Sequence, residues 1–232
     1  VKECGGDIRV ETDAAVGFAE CKADLHLDVY GAPVNGTGNQ GILEIKTDDS
    51  EVVLRKLKGA TRIQGDRLQV DIQEVEGELW VLGSSSSIKI DNVISPLRVE
   101  NEFGDVHIVA ATQKVDVASR DGNVTIERQS GPVHVTAEGE RVTVTWTSMH
   151  WKEDSLVDNA GGDVAVYLPK QGGCSVDARA AYGRVDSEIE DLVVGDDGRT
   201  ASGTFNRSRR PILKLRAEGD IRIQKALILD NQ

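Results

Sequence analysis

Apolar residues recur in this chain as pairs of the form apolar-x-apolar, and from Leu43 to Val144 each pair begins nine residues after the last. The pairs are Leu43/Ile45, Val52/Leu54, Thr61/Ile63, Val70/Ile72, Leu79/Val81, Ile88/Ile90, Leu97/Val99, Val106/Ile108, Val115/Val117, Val124/Ile126, Val133/Val135 and Val142/Val144. Of these 24 positions 23 are Val, Ile or Leu, in a chain that is 39% hydrophobic overall. Alternation of this kind puts the outer residues of each triad on one face and the middle residue on the other. Each unit therefore predicts a short half-buried strand followed by a turn.

A second period tells how the strands connect. Five residues after the start of alternate units stand Leu57, Val75, Val93 and Ala111; in the other units the same offset holds Asp66, Ser84, Glu102, Arg120 and Glu138. Glycine also keeps to one class of unit, at Gly41, Gly59, Gly77 and Gly131. The full repeat is thus 18 residues in two unlike halves. That pattern predicts an all-β fold: a β-solenoid, β-helix or β-roll in type, with short parallel strands, two per turn. Strands one turn apart would lie ~4.8 Å from each other. The two sheets would enclose a thin core, with one dry edge and one wet edge. An antiparallel meander is the rival, but it needs tight Asn-Gly or Asp-Gly turns, and Asp121-Gly122 is the one such dipeptide within the repeat.

The chain reads as one β-repeat domain over 1–232, with a regular core at 43–144 and an irregular part at 145–232. Val16/Phe18 and Leu25/Leu27 fall in the same phase, so the N-terminal part predicts the first turns of the stack, with a turn-rich loop at 31–41. After Val144 the register breaks. Strands restart at Gly162–Leu168, Ser175–Ala178, Gly183–Ser187, Ile212–Leu215 and Gly219–Ile223, while 195–210 is polar and turn-rich. No segment predicts a helix.

Composition narrows the function classes. The net charge is −12, which disfavours nucleic acid and anionic lipid as partners. No apolar stretch approaches the ~20 residues that span a bilayer, so no direct membrane insertion is expected within this chain. The chain opens on Val1 rather than Met, and a signal or anchor is expected upstream of it. Cys4 and Cys21 flank the first strand-like segment. They either form a disulfide, which implies an oxidising compartment, or are buried thiols. Cys174 sits among strand residues and reads as buried and inert.

Candidate chemistry is sparse. The middle residues of the triads form outward columns, one of Arg62, Trp80, Arg98, Asp116 and His134, the other of Val53, Asp71, Lys89, His107, Thr125 and Thr143. These are either solvated faces with weak ion pairs or, at Arg62, Trp80 and Arg98, a strip for an anionic or sugar group. Trp146, Met149, His150 and Trp151 lie where the pattern stops. They predict either a cap on the stack or a surface for a partner, with Trp146, His150 and Trp151 as binding candidates. No Cys/His spacing suggests zinc, and the turns lack the glycines and aspartates of calcium-binding nonapeptides. His107 and His134 fall in different columns. No metal, cofactor or catalytic residue is therefore assigned, and no enzyme is expected. Asp71 beside Lys89 is the one pair that hints at a lyase-like β-helix.

Gly104-Asp105-Val106-His107-Ile108 and Gly122-Asn123-Val124-Thr125-Ile126 carry a recurrent Gly-[Asp/Asn]-[Val/Ile]-x-[Val/Ile] pattern. Together with Gly162–Pro169 and Leu213–Ile223, this resembles a bacterial family of β-strand-repeat domains of unknown function that carries an adhesin label. The resemblance covers most of 42–223. It implies a β-solenoid and an exported protein, periplasmic, cell-surface or extracellular, that meets an envelope protein or a glycan without catalysis. A carbohydrate-binding or carbohydrate-active β-helix, and an oligomerisation module, are the alternatives.

Overall fold

The computed structural model describes residue 2 and residues 5–226. Its strands form two sheets, one of 13 strands (sheet I) and one of 11 (sheet II). The chain alternates between them. Asp7–Thr12, Asp24–Tyr30, Leu43–Asp48 and so on to Ser155–Asn159 build sheet I; Val16–Ala19, Val34–Thr37, Glu51–Leu57 and so on to Asp163–Leu168 build sheet II. Each strand pairs in parallel with its equivalent one turn on. Leu43 opposes Thr61 and Thr61 opposes Leu79; Val52 opposes Val70 and Ile88 opposes Val106. This is the expected two-strand β-solenoid with 18 residues per turn. No helix of the described residues is long and apolar enough to cross a membrane.

The apolar pairs face inward. Leu43, Ile45, Val52, Leu54, Val81 and Val99 are at most 1% exposed, and one continuous core runs the length of the stack. Complete burial of each such side chain contributes about 1.5–3 kcal/mol. The dry edge also holds. Cys21, Asn39, Leu57, Val75, Val93, Ala111 and Gln129 occupy equivalent places, all 1% exposed or less.

A backbone device makes that edge. Glu20, Gly38, Lys56, Glu74, Asn92, Ala110 and Arg128 stand 18 apart with φ of 51–72°. A left-handed residue turns the chain so that two successive side chains face out and the next faces in, as Arg55 and Lys56 precede buried Leu57. Most of these residues are not glycine, and each carries a conformational cost of about 1–2 kcal/mol, which the packing of the next residue offsets.

At the wet edge the outer column is polar, but the residues just inside it are small: Thr47, Gly83, Asn101, Ser119 and Ala137 are buried and Gly65 is half-buried. Volume is exchanged within this corner. Leu68 lies beside Gly65, and at Gly83 a Cβ would meet Asn101 Oδ1 at 2.9 Å.

After a first turn of 17 residues, with Asp7 opposite Asp24, the 18-residue register holds as far as Trp146. Trp146 takes the dry-edge place one residue early, opposite Gln129, and the next turn is lengthened to 22 residues, with His134 opposite Leu156 and Val142 opposite Val164. Beyond Leu168 the order departs from sequence order. Ile212–Ala217 lies between Ser155–Asn159 and Cys174–Ala180, parallel to both. Ile221–Lys225 lies between Asp163–Leu168 and Val185–Ser187. The chain therefore leaves one rung open, builds the rung beyond, and returns to fill the space. Thr200–Phe205 and Leu192–Val194 then add antiparallel strands at that end. The segment 195–210, read from sequence as turn-rich, thus contains a strand.

Candidate functional site

In-register parallel stacking lines up every outward residue with its equivalents. On sheet I the column runs His26, Glu44, Arg62, Trp80, Arg98, Asp116, His134. The structure thus brings Arg62, Trp80 and Arg98 together. The Arg62 guanidinium carbon lies 3.7 Å from the centroid of the Trp80 ring, and that of Arg98 lies 5.5 Å from it. Each contact is worth about 0.5–1 kcal/mol at an exposed site. The two arginines differ in their other partners. Arg98 donates from Nε to Glu100 Oε1 at 2.8 Å, with Nη2 at 2.7 Å. Among the described residues Arg62 has no carboxylate partner, so its charge faces solvent over the indole. The indole Nε1 is buried and has no hydrogen-bond partner among the described residues.

Farther along the column His134 Nδ1 lies 3.5 Å from Asp116 Oδ1, and Lys114 Nζ lies 3.1 Å from the same oxygen. Asp116 is thus shared by its neighbours, while Arg98 turns to Glu100. His107 belongs to sheet II, facing Glu127 at 3.7 Å, so the two histidines stand on opposite faces. Asp71 does oppose Lys89, but its ion pair is with Arg55 at 3.9 Å.

Beside the Trp80 column a groove of about 580 Å³ follows the wet edge. Its floor is Gly65, Leu82, Gly83, Ala118 and Ser119, and its sides carry Asp66, Glu100, Glu102, Arg120 and Glu138. Arg120 bridges two rungs, at 2.8 Å to Glu102 and 3.6 Å to Glu138. At the same edge Arg67 holds Asp49 in a two-pronged contact of 2.5 and 2.7 Å. The hydrogen bond from Arg67 keeps the Asp49 carboxyl below the usual range. The groove was not read from sequence. Its signal in sequence is the column three residues into each triad unit, where the large Gln64, Leu82 and Glu100 give way to the small Ala118 and Thr136. No cluster of three or more His, Cys, Asp or Glu able to hold a metal is present among the described residues.

The other candidates separate. Trp146 is 1% exposed, and its indole donates to Gly131 O at 3.2 Å. It is a core residue rather than a ligand-facing one, because the early bulge turns it into the dry-edge column. Met149 is also buried, while Trp151 packs half-buried on Trp146 with ring centroids 5.8 Å apart. His150 is exposed and its Nδ1 meets Ser148 Oγ at 2.7 Å. The segment is therefore a packed lengthening of one turn, with His150 facing out. Cys21 is fully buried; Cys4, the other half of the expected disulfide, lies outside the described residues. Cys174 is a buried free thiol whose burial pushes its pKa up to about 12.

A family model described as Toastrack DUF4097 matches residues 1–224. No curated protein matches the chain, and no solved structure matches it.

Proposed function

Given that the chain belongs to the Toastrack DUF4097 family of β-repeat domains, we propose that it is a noncatalytic, exported protein of the bacterial envelope. In this reading the outer face of sheet I binds an anionic group on another envelope component, in the manner that an adhesin label implies. The observation that carries the reading is Arg62, stacked 3.7 Å from the Trp80 centroid and without a carboxylate partner among the described residues. In a chain of net charge −12 an unneutralised guanidinium on an aromatic platform stands out. Such a pair offers a bidentate hydrogen-bond fork for carboxylate, sulfate or phosphate. The rungs hold it rigid, which lowers the ordering cost of binding.

An array of acidic glycans, neutral glycans and acidic peptides tests this, using wild type, Arg62→Ala and Trp80→Ala. The expected result is binding to acidic members that Arg62→Ala weakens at least about tenfold, the loss of one charge-assisted bidentate contact. No acidic ligand, or equal binding by Arg62→Ala, refutes it. The second reading is a carbohydrate-binding face, favoured by the groove of about 580 Å³ beside Trp80. Binding to neutral glycans, lost in Trp80→Ala but kept in Arg62→Ala, would establish that reading instead.

A further inference from the structure

The shuffled strand order near the end of the stack gathers three loops that are far apart in sequence. Residues 147–154 lead into Ser155–Asn159, 206–211 into Ile212–Ala217 and 169–173 into Cys174–Ala180. Those three strands are consecutive in sheet I. Each loop is longer than the three-residue links that join sheet II to sheet I from Leu57 to Val133. Hydrogen bonds tie the loops into one unit. Asp154 Oδ1 accepts from Ile212 N–H at 2.8 Å and lies 3.6 Å from Arg210 Nη1. Asn206 Nδ2 donates to Gly172 O at 2.6 Å, and Met149 N–H donates to Gln171 O at 3.2 Å.

This corner is positive in a negative chain. It holds Lys152, Lys170, Arg207, Arg209 and Arg210, all exposed, against Glu153 and Asp154. Five cations against two carboxylates give +3, so the rest of a chain of net charge −12 carries −15. Arg210 pairs with Asp154; the other four cations have no carboxylate partner among the described residues. Glu3 and Asp230, the carboxylate side chains outside those residues, are too few to cancel the excess. The backbone at Arg207 is a second observation. Asn206 and Arg207 have φ of 52° and 57° in a two-residue turn closed by Ser208 N–H to Phe205 O at 3.3 Å. Such turns prefer Asn-Gly. Arginine in the glycine place carries a conformational cost, and its side chain, being exposed, does not offset that cost by packing.

We propose that this corner docks on the surface of an anionic lipid bilayer. The cations come from loops at three adjacent strands, about 10 Å from first to last at the usual spacing. They stand on an edge of the stack rather than along a groove; the groove beside Trp80 follows the other edge. A flat polyanionic surface meets such a set at once. None of the three loops holds an exposed large apolar side chain, so the contact is electrostatic and nothing inserts. The overall charge of the chain does not oppose it. Screening at physiological salt limits the reach of a charge to about 8 Å, less than two rungs. The bilayer therefore meets the +3 corner and little of the remainder. The strip at Arg62 lies five strands away along sheet I, so the two sites are independent.

Co-sedimentation with vesicles tests the docking, using phosphatidylcholine alone and phosphatidylcholine with about one-third phosphatidylglycerol. Binding is expected to the anionic vesicles only, and is lost at about 1 M salt, where the screening length falls to about 3 Å. Each Lys or Arg held at such a surface contributes about fivefold, so Arg207→Gln/Arg209→Gln should weaken binding at least about twentyfold. Lys152→Gln/Lys170→Gln, on the other two loops, should do the same. Lys46→Gln/Lys56→Gln makes an equal change in net charge on exposed side chains elsewhere and should weaken binding less than about threefold. Circular dichroism checks that each variant keeps the fold. Polyphosphate in solution separates a bilayer from a soluble polyanion. No binding to anionic vesicles overturns the proposal, as does equal binding to both kinds of vesicle. Equal losses in the corner and control variants overturn it too. Polyphosphate bound in preference to the anionic vesicles assigns the corner to a soluble polyanion instead.

Discussion

Asn101→Ala isolates what holds the wet-edge corner. Asn101 is 3% exposed. Its Nδ2 reaches the carbonyls of Ser86 at 2.8 Å, Gly104 at 2.9 Å and Phe103 at 3.0 Å. Phe103 O keeps a second donor, the Ser86 N–H at 2.8 Å. Ser86 O and Gly104 O lose the amide. Each buried acceptor left short of its donor costs about 1–1.5 kcal/mol, so the substitution should cost about 2–3 kcal/mol. At about 2–4 °C per kcal/mol for a chain of this size, Tm should fall by about 4–12 °C. Ser119→Ala is the matched control, one rung on in the same column. Ser119 makes only a 3.3 Å bond to Arg120 O, and Ala137 occupies the next place naturally. Its cost should stay below about 1 kcal/mol. Thermal melts followed by circular dichroism give both values. Equal Tm for Asn101→Ala and wild type, or equal losses for the two variants, would falsify the view that this amide supports the corner.

Two further outcomes follow from titratable groups. Cys174, with its pKa pushed up to about 12 by burial, should resist alkylation in the native protein at pH 8 and react fully in denaturant; fast native labelling would contradict its burial. In the same assay, without reductant, a Cys4–Cys21 disulfide leaves one alkylated thiol rather than three. For Asp177, burial raises the pKa, but the hydrogen bond and charge of Arg216 at 2.8 Å, with Arg179, outweigh it and hold the carboxyl low. A depressed folded pKa adds stability that is present above the unfolded value of 3.8 and is lost as pH falls through the folded one. Asp177→Asn should therefore lower Tm at pH 7 and converge with wild type in acid; a constant difference across that range would refute the linkage.

The rungs were legible because a parallel solenoid repeats one local decision many times. Once Leu43, Thr61 and Leu79 fall at equal spacing, register follows. The dry edge was legible from Leu57, Val75, Val93 and Ala111 for the same reason. Its polar members were not. Asn39 and Gln129 enter that edge by donating to nearby carbonyls, Gly41 O at 2.7 Å and Gln113 O at 2.8 Å, which composition does not announce. The left-handed corner was hidden because Lys56, Glu74 and Arg128 are ordinary surface residues in sequence. Trp146 was misplaced by a one-residue bulge. Arg62, Trp80 and Arg98 were found because a column is an arithmetic property of the repeat. The groove was not, since it depends on relative side-chain size along a second column. The C-terminal order escaped altogether: alternation states which face a residue takes, and nothing about which rung its strand joins.

That order has a consequence for assembly in time. Ser155–Leu168 has its sequence neighbour, the strand Cys174–Ala180, two rungs away, a gap of about 9.6 Å at the usual strand spacing. The filler, Ile212–Lys225, lies farther along the chain than everything it must separate. While a ribosome is still reading, the N-terminal turns already have all their neighbours, but the terminal strands have no platform to rest on. The stack grows like a zip for most of its length and closes like a keystone arch, with the piece that makes the end self-supporting delivered after the pieces that lean on it.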